Sequence, residues 1–514
     1  MALIKSEEQG PDPVPRPLDH LAGCGAPDAV ALVTREGPLD YAGLERHVGS
    51  LAAALKARGL PEGARVASWL PKTRMTSLLP LAVARAGLIH VPINPQLKRG
   101  QVAHVLADSG AGLLVSGAVR LATLEEGDLP AGCASVEEAE GEAMLASADR
   151  LPPSRAEPDA LAALLYTSGS TGRSKGVMLT HANLWLGAVS VAHYLRLSPA
   201  DRVLGVLPLS FDYGQNQLLS AWAAGASVSP IDYISAADLS RAIDRHDVTT
   251  LAGIPPLWVQ LIEANWPPSA LLRLRRLTNS GGRLPASILR RMRELFPLAE
   301  IYPMYGLTEA FRSTYLEPAL VDLHPDSIGT AIPFAEVSVV RPNGSEADAG
   351  EVGELVHSGP LVAQGYWNDP ERTAERFRAA PAWSRYGGTA VWSGDTVRRD
   401  EQGLLYFVGR EDDMIKTSGN RISPAEVEEE AMASGLIAEA AALGVPDDRL
   451  GQAIALVVRP SAAHGREAEA ALRNHLKRAL ANFMQPGPIV WRDELPRNPN
   501  GKLDRARLRQ ELMA

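Results

Sequence analysis

Residues 166–181 read YTSGSTGRSKGVMLTH and follow directly on the apolar run LAALL. Glycine lets a backbone come close to a ligand, and converging backbone N–H groups in such a turn make a cradle for an anion. Ser168, Ser170, Thr171 and Ser174 add hydroxyl donors, and Lys175 adds charge. A nucleotide P-loop has the spacing GxxxxGK[ST] and opens a helix. Here Lys175 follows Ser174 instead of glycine, and Gly176 leads into VMLTH, a strand-like run. The loop therefore holds phosphate, if it holds anything, by a different geometry. The bland alternative is a polar surface loop.

Outward from this loop the chain alternates. The short apolar runs GARVASWLP, GLIHVPIN and AGLLVSG are interleaved with helix-like stretches such as YAGLERHVGSLAAALKARG. That alternation predicts βα units around largely parallel sheets. It returns between Arg202 and Pro297, with RVLGVLPLS and VTTLAGIP as strands. There LPASILRRMRELFP reads as a helix with Ile288, Leu289, Met292, Leu295 and Phe296 on one face. After about Leu316, turns of Gly, Pro, Asp and Glu separate β-rich pieces, which predicts a small β subdomain over about 317–409. Residues 410–413 read as a hinge and 414–514 as a small mobile α+β domain; residues 1–409 form the large one, built on two βα subdomains. Leu472, Leu476, Leu480 and Phe483 fall on one stripe of the small domain.

Composition narrows the function. Cys24 and Cys133 alone exclude a disulfide framework and a cysteine-built zinc site, which fits a reducing cytoplasm. The N-terminal MALIKSEEQGPDPVPRP is too polar for a secretory signal. The most apolar stretch, MTSLLPLAVARAGLIHVPINP, is interrupted by Pro80, Arg85 and Pro92, so no membrane span is expected. A net charge of −9 argues against nucleic-acid binding. Charges balance from Asp413 onward, so residues 1–412 carry the whole excess.

Four further motifs lie in order behind the loop: MYGLTEA (304–310), WSGDTV (392–397), GREDDMIKTSGNRISPAEVEE (409–429) and LPRNPNGKLDR (495–505). Together the five resemble the AMP-forming acyl and aminoacyl adenylating enzymes: acyl-CoA synthetases, carrier-protein ligases and luciferases. LPLSFDYGQNQLLSAW with MYGLTEAFRSTYL is also similar to exosortase-associated ligases and to ligases that load amino acids such as proline onto carrier proteins.

The resemblance implies an enzyme that joins a carboxylate to the α-phosphate of ATP and passes the acyl group to a thiol, with Mg²⁺ as the metal. Thr167, Ser168, Gly169, Ser170, Thr171, Gly172 and Lys175 would hold the outer phosphates. Thr308 would meet the α-phosphate, and Glu309 would hold Mg²⁺, a hard ion suited to carboxylate oxygen. Tyr305 would lie on adenine beside Gly281 and Gly282; Asp395 would accept from the ribose, and Arg410 would reach ribose or phosphate. Lys502 would bridge the two reacting anions. Asp412 would be the hinge, and Gly419 with Arg421 would line a channel for the thiol once Lys502 has swung away.

Phe211, Asp212, Tyr213, Asn216, Thr278, Ser280, Met304 and Arg312 are the candidate acid pocket. Asp after Phe holds an α-ammonium in amino-acid-activating relatives, so the reading leans to an amino-bearing acid. A plain acid is the alternative, with Asp212 and Arg312 neutralising each other. The acceptor is CoA or the phosphopantetheine of a carrier protein. An inactive scaffold is the rival class; intact Lys502, Glu309, Asp395 and Arg410 argue against it.

Overall fold

The computed structural model describes residues 10–167, 174–282, 284, 286–410, 414–461, 466–496 and 504–513. Their strands form three sheets. In the first, six strands run in the order Ala134–Glu137, Ala111–Ser116, Arg65–Trp69, Ile89–Pro92, Leu161–Thr167, Lys175–Thr180. All neighbours are parallel except the last pair, in which Thr167 faces Lys175 and Tyr166 faces Gly176. The Gly/Ser/Thr-rich segment thus joins two antiparallel strands and does not lead into a helix, because Lys175–Thr180 is a strand.

The second sheet has fourteen strands. Its parallel part contains Val30–Thr34, Ser227–Pro230, Arg202–Gly205, Thr250–Gly253, Arg276–Asn279 and Glu300–Tyr305. At Thr314–Tyr315 the sense turns antiparallel, and the path continues through Ser327–Ala331, Leu405–Arg410, Thr389–Arg399, Val352–Ser358 and Glu336–Val340. The β-rich segment is therefore an extension of the second sheet: Thr314 and Tyr315 pair with Tyr305 and Met304 on one side and with Ala331 and Thr330 on the other. Composition signals strands but not which edge each one joins.

Local chemistry sets the helix ends. The Asp40 carboxylate accepts from Gly43 N–H at 2.6 Å and starts the helix Tyr41–Ala57. Thr180 and Asn183 cap each other's backbone at the head of His181–Tyr194. Pro80 lies inside the helix Arg74–Arg85, so it interrupts the apolar run without ending the helix. Leu289 and Met292 of Ala286–Leu295 are buried, as is Phe296 just beyond, matching the predicted stripe.

The third sheet contains Asn420–Ile422, Ile415–Thr417, Gly451–Pro460, Ile437–Asp447 and Ile489–Trp491. Its core includes Ile415, Ile422, Val427, Leu456, Leu472, Leu476 and Leu480. Phe483 is only partly buried, because the helix Glu469–Ala479 has already ended before it. The Gln101 amide donates to Glu426 at 2.9 Å, and Leu97 packs on this core, joining it to the N-terminal part of the chain. No helix among the described residues is long and apolar enough to cross a membrane.

Candidate active site

Open parallel sheets offer ligand sites just beyond the carboxyl ends of their strands. The predicted residues Ser280, Gly281 and Tyr305 lie there, with Ile254 beside them. Ser280 and Gly281 follow Arg276–Asn279, Tyr305 ends Glu300–Tyr305, and Ile254 follows Thr250–Gly253. Gly281 has φ +79°, a conformation that glycine adopts freely. The Tyr305 hydroxyl donates to Asp395, which is 4% exposed. Asp395 pairs through the backbone register with Arg410 on the next strand.

The turn Thr308–Ala310 carries the next group. Glu309 is buried and accepts from the Tyr366 hydroxyl at 2.7 Å. Burial pushes its carboxyl up, but the Arg421 guanidinium and the Tyr366 hydroxyl outweigh it, so the net shift is below the usual carboxylate value. Lys175 Nζ stands 4.8 Å from the centre of the Tyr366 ring. Burial, then the charge of Arg372, lowers the Lys175 ammonium from its ordinary value. The end of the loop, the carboxylate and the hairpin carrying Arg421 therefore converge.

Thr308 Oγ1 donates to Asp212 Oδ1 at 3.1 Å, and Arg312 Nη2 lies 3.9 Å from Asp212 Oδ2. Burial raises the Asp212 carboxyl above its usual range, with Arg312 and Thr308 offsetting only part. Arg312 Nη1 donates to Ser280 at 3.1 Å, and the guanidinium lies over the Tyr213 ring at 4.6 Å. The Tyr213 hydroxyl is anchored on Thr278. Met304 is buried and its sulfur accepts from Tyr194 at 3.0 Å. Asn216 is buried one turn beyond Asp212 on the same helix face. Phe211 precedes that helix and is packed against the core.

Arg312 is held by strained backbone. Phe311 has φ +59° and ψ −62°, and Arg312 N–H donates to Ala310 C=O at 2.6 Å. This is a γ-turn of the rare positive-φ kind, a conformation that costs on the order of 1–3 kcal/mol. Two glycines make room for it. A Cβ on Gly187 would come within 2.3 Å of the Phe311 ring, and one on Gly306 within 2.9 Å of Arg312 Cα.

Gly419 sits at the tip of the hairpin Ile415–Thr417/Asn420–Ile422, with Ser418 at φ +51° and Gly419 at φ +77°. Two successive positive φ values are those of a type I′ turn. An added Cβ on Gly281 would lie 3.5 Å from Gly419 C=O, so the hairpin tip reaches the first sheet-end glycine of the site. A cleft of about 410 Å³ runs beside it, lined by Lys72, Asp232, Pro208, Phe211, Ile254 and Gly419 among others. Lys72 Nζ is engaged there by the carbonyls of Val206 and Ile231 and by Asp232.

Ser168, Gly169, Ser170, Thr171, Gly172, Asp412 and Lys502 lie outside the described residues. The sequence reading missed Tyr366, Phe311 and the cleft residues Lys72 and Asp232. Tyr366 lies in the irregular stretch AQGYWNDPE, where no periodicity marks it.

Comparison with known proteins adds the family. Residues 22–367 match the model of the AMP-binding enzyme family, and residues 426–502 match the AMP-binding enzyme C-terminal domain. Feruloyl-CoA synthase from an Amycolatopsis species is 35% identical over 94% of this chain and 96% of its own length. An L-proline–[L-prolyl-carrier protein] ligase from Pseudomonas fluorescens is 29% identical over 95% and 97%. A double mutant of o-succinylbenzoate CoA synthetase from Bacillus subtilis, bound to its product analogue OSB-NCoA, superimposes with TM-score 0.85 at 26% identity, covering 97% of this chain and 98% of that one. The same enzyme with its acyl-adenylate intermediate OSB-AMP gives 0.68 at 26% identity, with 98% of each chain covered. The matched span, the shared architecture and these full-length relatives establish that the chain belongs to the AMP-binding enzyme family.

Proposed function

We propose that this AMP-forming acid–thiol ligase works in two steps on one site. In the first, a carboxylate oxygen attacks the α-phosphorus of ATP, pyrophosphate leaves, and an acyl-adenylate forms. In the second, a thiolate attacks the acyl carbon, the bond to the phosphate oxygen breaks, and AMP departs. The observation that carries this reading is the convergence of Tyr305, Asp395, Thr308 and Glu309 at the strand ends with the hairpin tip at Gly419.

The roles follow from chemistry. Asp395, buried and touching Tyr305, suits a ribose diol. Thr308 has one hydroxyl proton, which goes to Asp212 in this arrangement and is redirected to the α-phosphate during adenylation. Glu309 fits Mg²⁺: its oxygen is hard, and its neighbours hold it ionised despite burial. Bound there, Mg²⁺ would neutralise charge developing on the phosphates. Lys502 brings the second positive charge, and residues 410–413 form the hinge that delivers and removes it. The higher TM-score to the product-analogue complex than to the acyl-adenylate complex supports reading the present arrangement as the thiol-transfer state. In that state the cleft beside Gly419 takes the thiol arm, either of CoA or of a carrier protein.

The test is a single-turnover reaction with ATP, a carboxylic acid panel, and either CoA or a phosphopantetheinylated carrier protein. AMP and thioester should form in equal amounts with one acceptor or both. Release of ADP, or thioester without AMP, overturns the assignment.

A further inference from the structure

Arg312 is only 1% exposed, yet two of its donors are unused. Nε and Nη2 have no hydrogen-bond partner among the described residues. Asp212 Oδ2, at 3.9 Å from Nη2, is an ion-pair neighbour beyond hydrogen-bond reach. These two nitrogens share one edge of the guanidinium plane, so their N–H bonds project side by side. A purely structural ion pair would close on that edge. Here the other Asp212 oxygen is taken by Thr308, and the edge is left without a hydrogen-bond partner among the described residues. Asn216, in phase with Asp212 on the same helix, also has a buried Oδ1 without a partner among the described residues. A buried N–H left unmatched is unfavourable. The chain nevertheless holds Arg312 with a strained γ-turn at Phe311 and with the space left by Gly187 and Gly306.

We propose that the non-reacting part of the acid carries an oxygen that accepts hydrogen bonds from the Nε/Nη2 edge of Arg312. This rests on the ligase reading and names its substrate class: oxygenated acids, bearing a hydroxyl, carbonyl or second carboxylate group. A hydrocarbon tail leaves the guanidinium edge unmatched. An ammonium would lie beside a buried cation, with Asp212 already engaged by Thr308 and Arg312.

The experiment is acid-dependent exchange of labelled pyrophosphate into ATP, with matched pairs as probes. Short straight-chain acids are compared with their ω-hydroxy, oxo, dicarboxylic and amino counterparts, and 3-phenylpropenoate with its 4-hydroxy derivative. Wild type should favour an oxygenated member over its hydrocarbon partner by about tenfold or more in kcat/KM. Arg312→Met should bring that ratio toward one, chiefly through KM, and Arg312→Lys should keep part of it. Thermal melts of both variants identify any loss of fold, and the Lys variant then carries the comparison. The hydroxy and dicarboxylic arms tell which oxygen group is read. A ratio unchanged in Arg312→Met, or a wild-type preference for hydrocarbon or amino acids, overturns the inference while leaving the ligase reading intact. No exchange with any acid, together with no AMP release, removes both.

Discussion

Gly419→Ala should separate the two proposed half-reactions. The added Cβ would stand 2.5 Å from Ile254 Cδ1, 2.9 Å from Cγ2 and 3.1 Å from Cβ. The first contact is with a movable methyl, but the other two lie close to the Ile254 backbone. Relieving such overlap costs about 1–3 kcal/mol. The φ of +77° adds strain of its own, but that strain belongs to the hairpin wherever the small domain sits. Only the clash with Ile254 acts on the docked arrangement. It should lower the population of that arrangement, and with it the rate of thioester formation, by about fivefold to a hundredfold. The assay measures pyrophosphate exchange and thioester formation on the same preparation. Exchange should stay within about twofold, because the proposed assignment gives the tip at Ile254 no part in adenylation. Adding Ile254→Ala removes Cδ1 and Cγ2 and should restore much of the lost rate, measured against Ile254→Ala alone. Equal losses in both half-reactions, or no recovery in the double variant, would refute the assignment of this contact to thiol transfer.

Three further substitutions probe other parts of the molecule. Lys502→Ala should lower adenylation by about a hundredfold or more, on the order of 3 kcal/mol, while thioester formation from supplied acyl-adenylate survives; equal loss of both contradicts the role. Tyr366→Phe removes a hydrogen bond from buried Glu309 and should cost about 1–3 kcal/mol in Mg²⁺-dependent adenylation. Because that hydroxyl helps depress the Glu309 carboxyl, its loss should move the acid limb of the pH–rate profile upward; an unmoved limb argues against ionised Glu309 as the metal ligand. His357 is buried and held neutral, its pKa pushed down to about 3 by burial. The unfolded chain takes up a proton near its ordinary value while the folded chain does not, so this stability is present at neutral pH and is lost as pH falls between the two. His357→Gln should flatten the fall in unfolding free energy by about 1.4 kcal/mol per pH unit in that window, read by denaturant titration.

How far the sequence could be read depended on the range of the interactions. Apolar runs such as RVASW and GLIHVP sit next to helical stripes, so local periodicity found their strands and the parallel architecture. The motif WSGDTV marks Asp395 as a candidate without help from tertiary contacts. The joining of the β-rich segment to the second sheet depends on Thr314 and Tyr315 pairing on both edges, which is a matter of spatial neighbours. The same holds for the acid pocket. The sequence leaves Asp212 to an ammonium or to Arg312; that its first oxygen accepts from Thr308, 96 residues away in sequence, is not legible there. The inverted backbone at Phe311, which aims Arg312, is not favoured by the residue type and is sustained by Gly187 on another element. Propensity predicts neither.

Acid-dependent exchange of labelled pyrophosphate into ATP, without any thiol present, tests the central claim most directly. The account predicts label in ATP with Mg²⁺ and a suitable acid, and none when the acid or the metal is left out. Exchange independent of acid, or hydrolysis of ATP to ADP in its place, would contradict it.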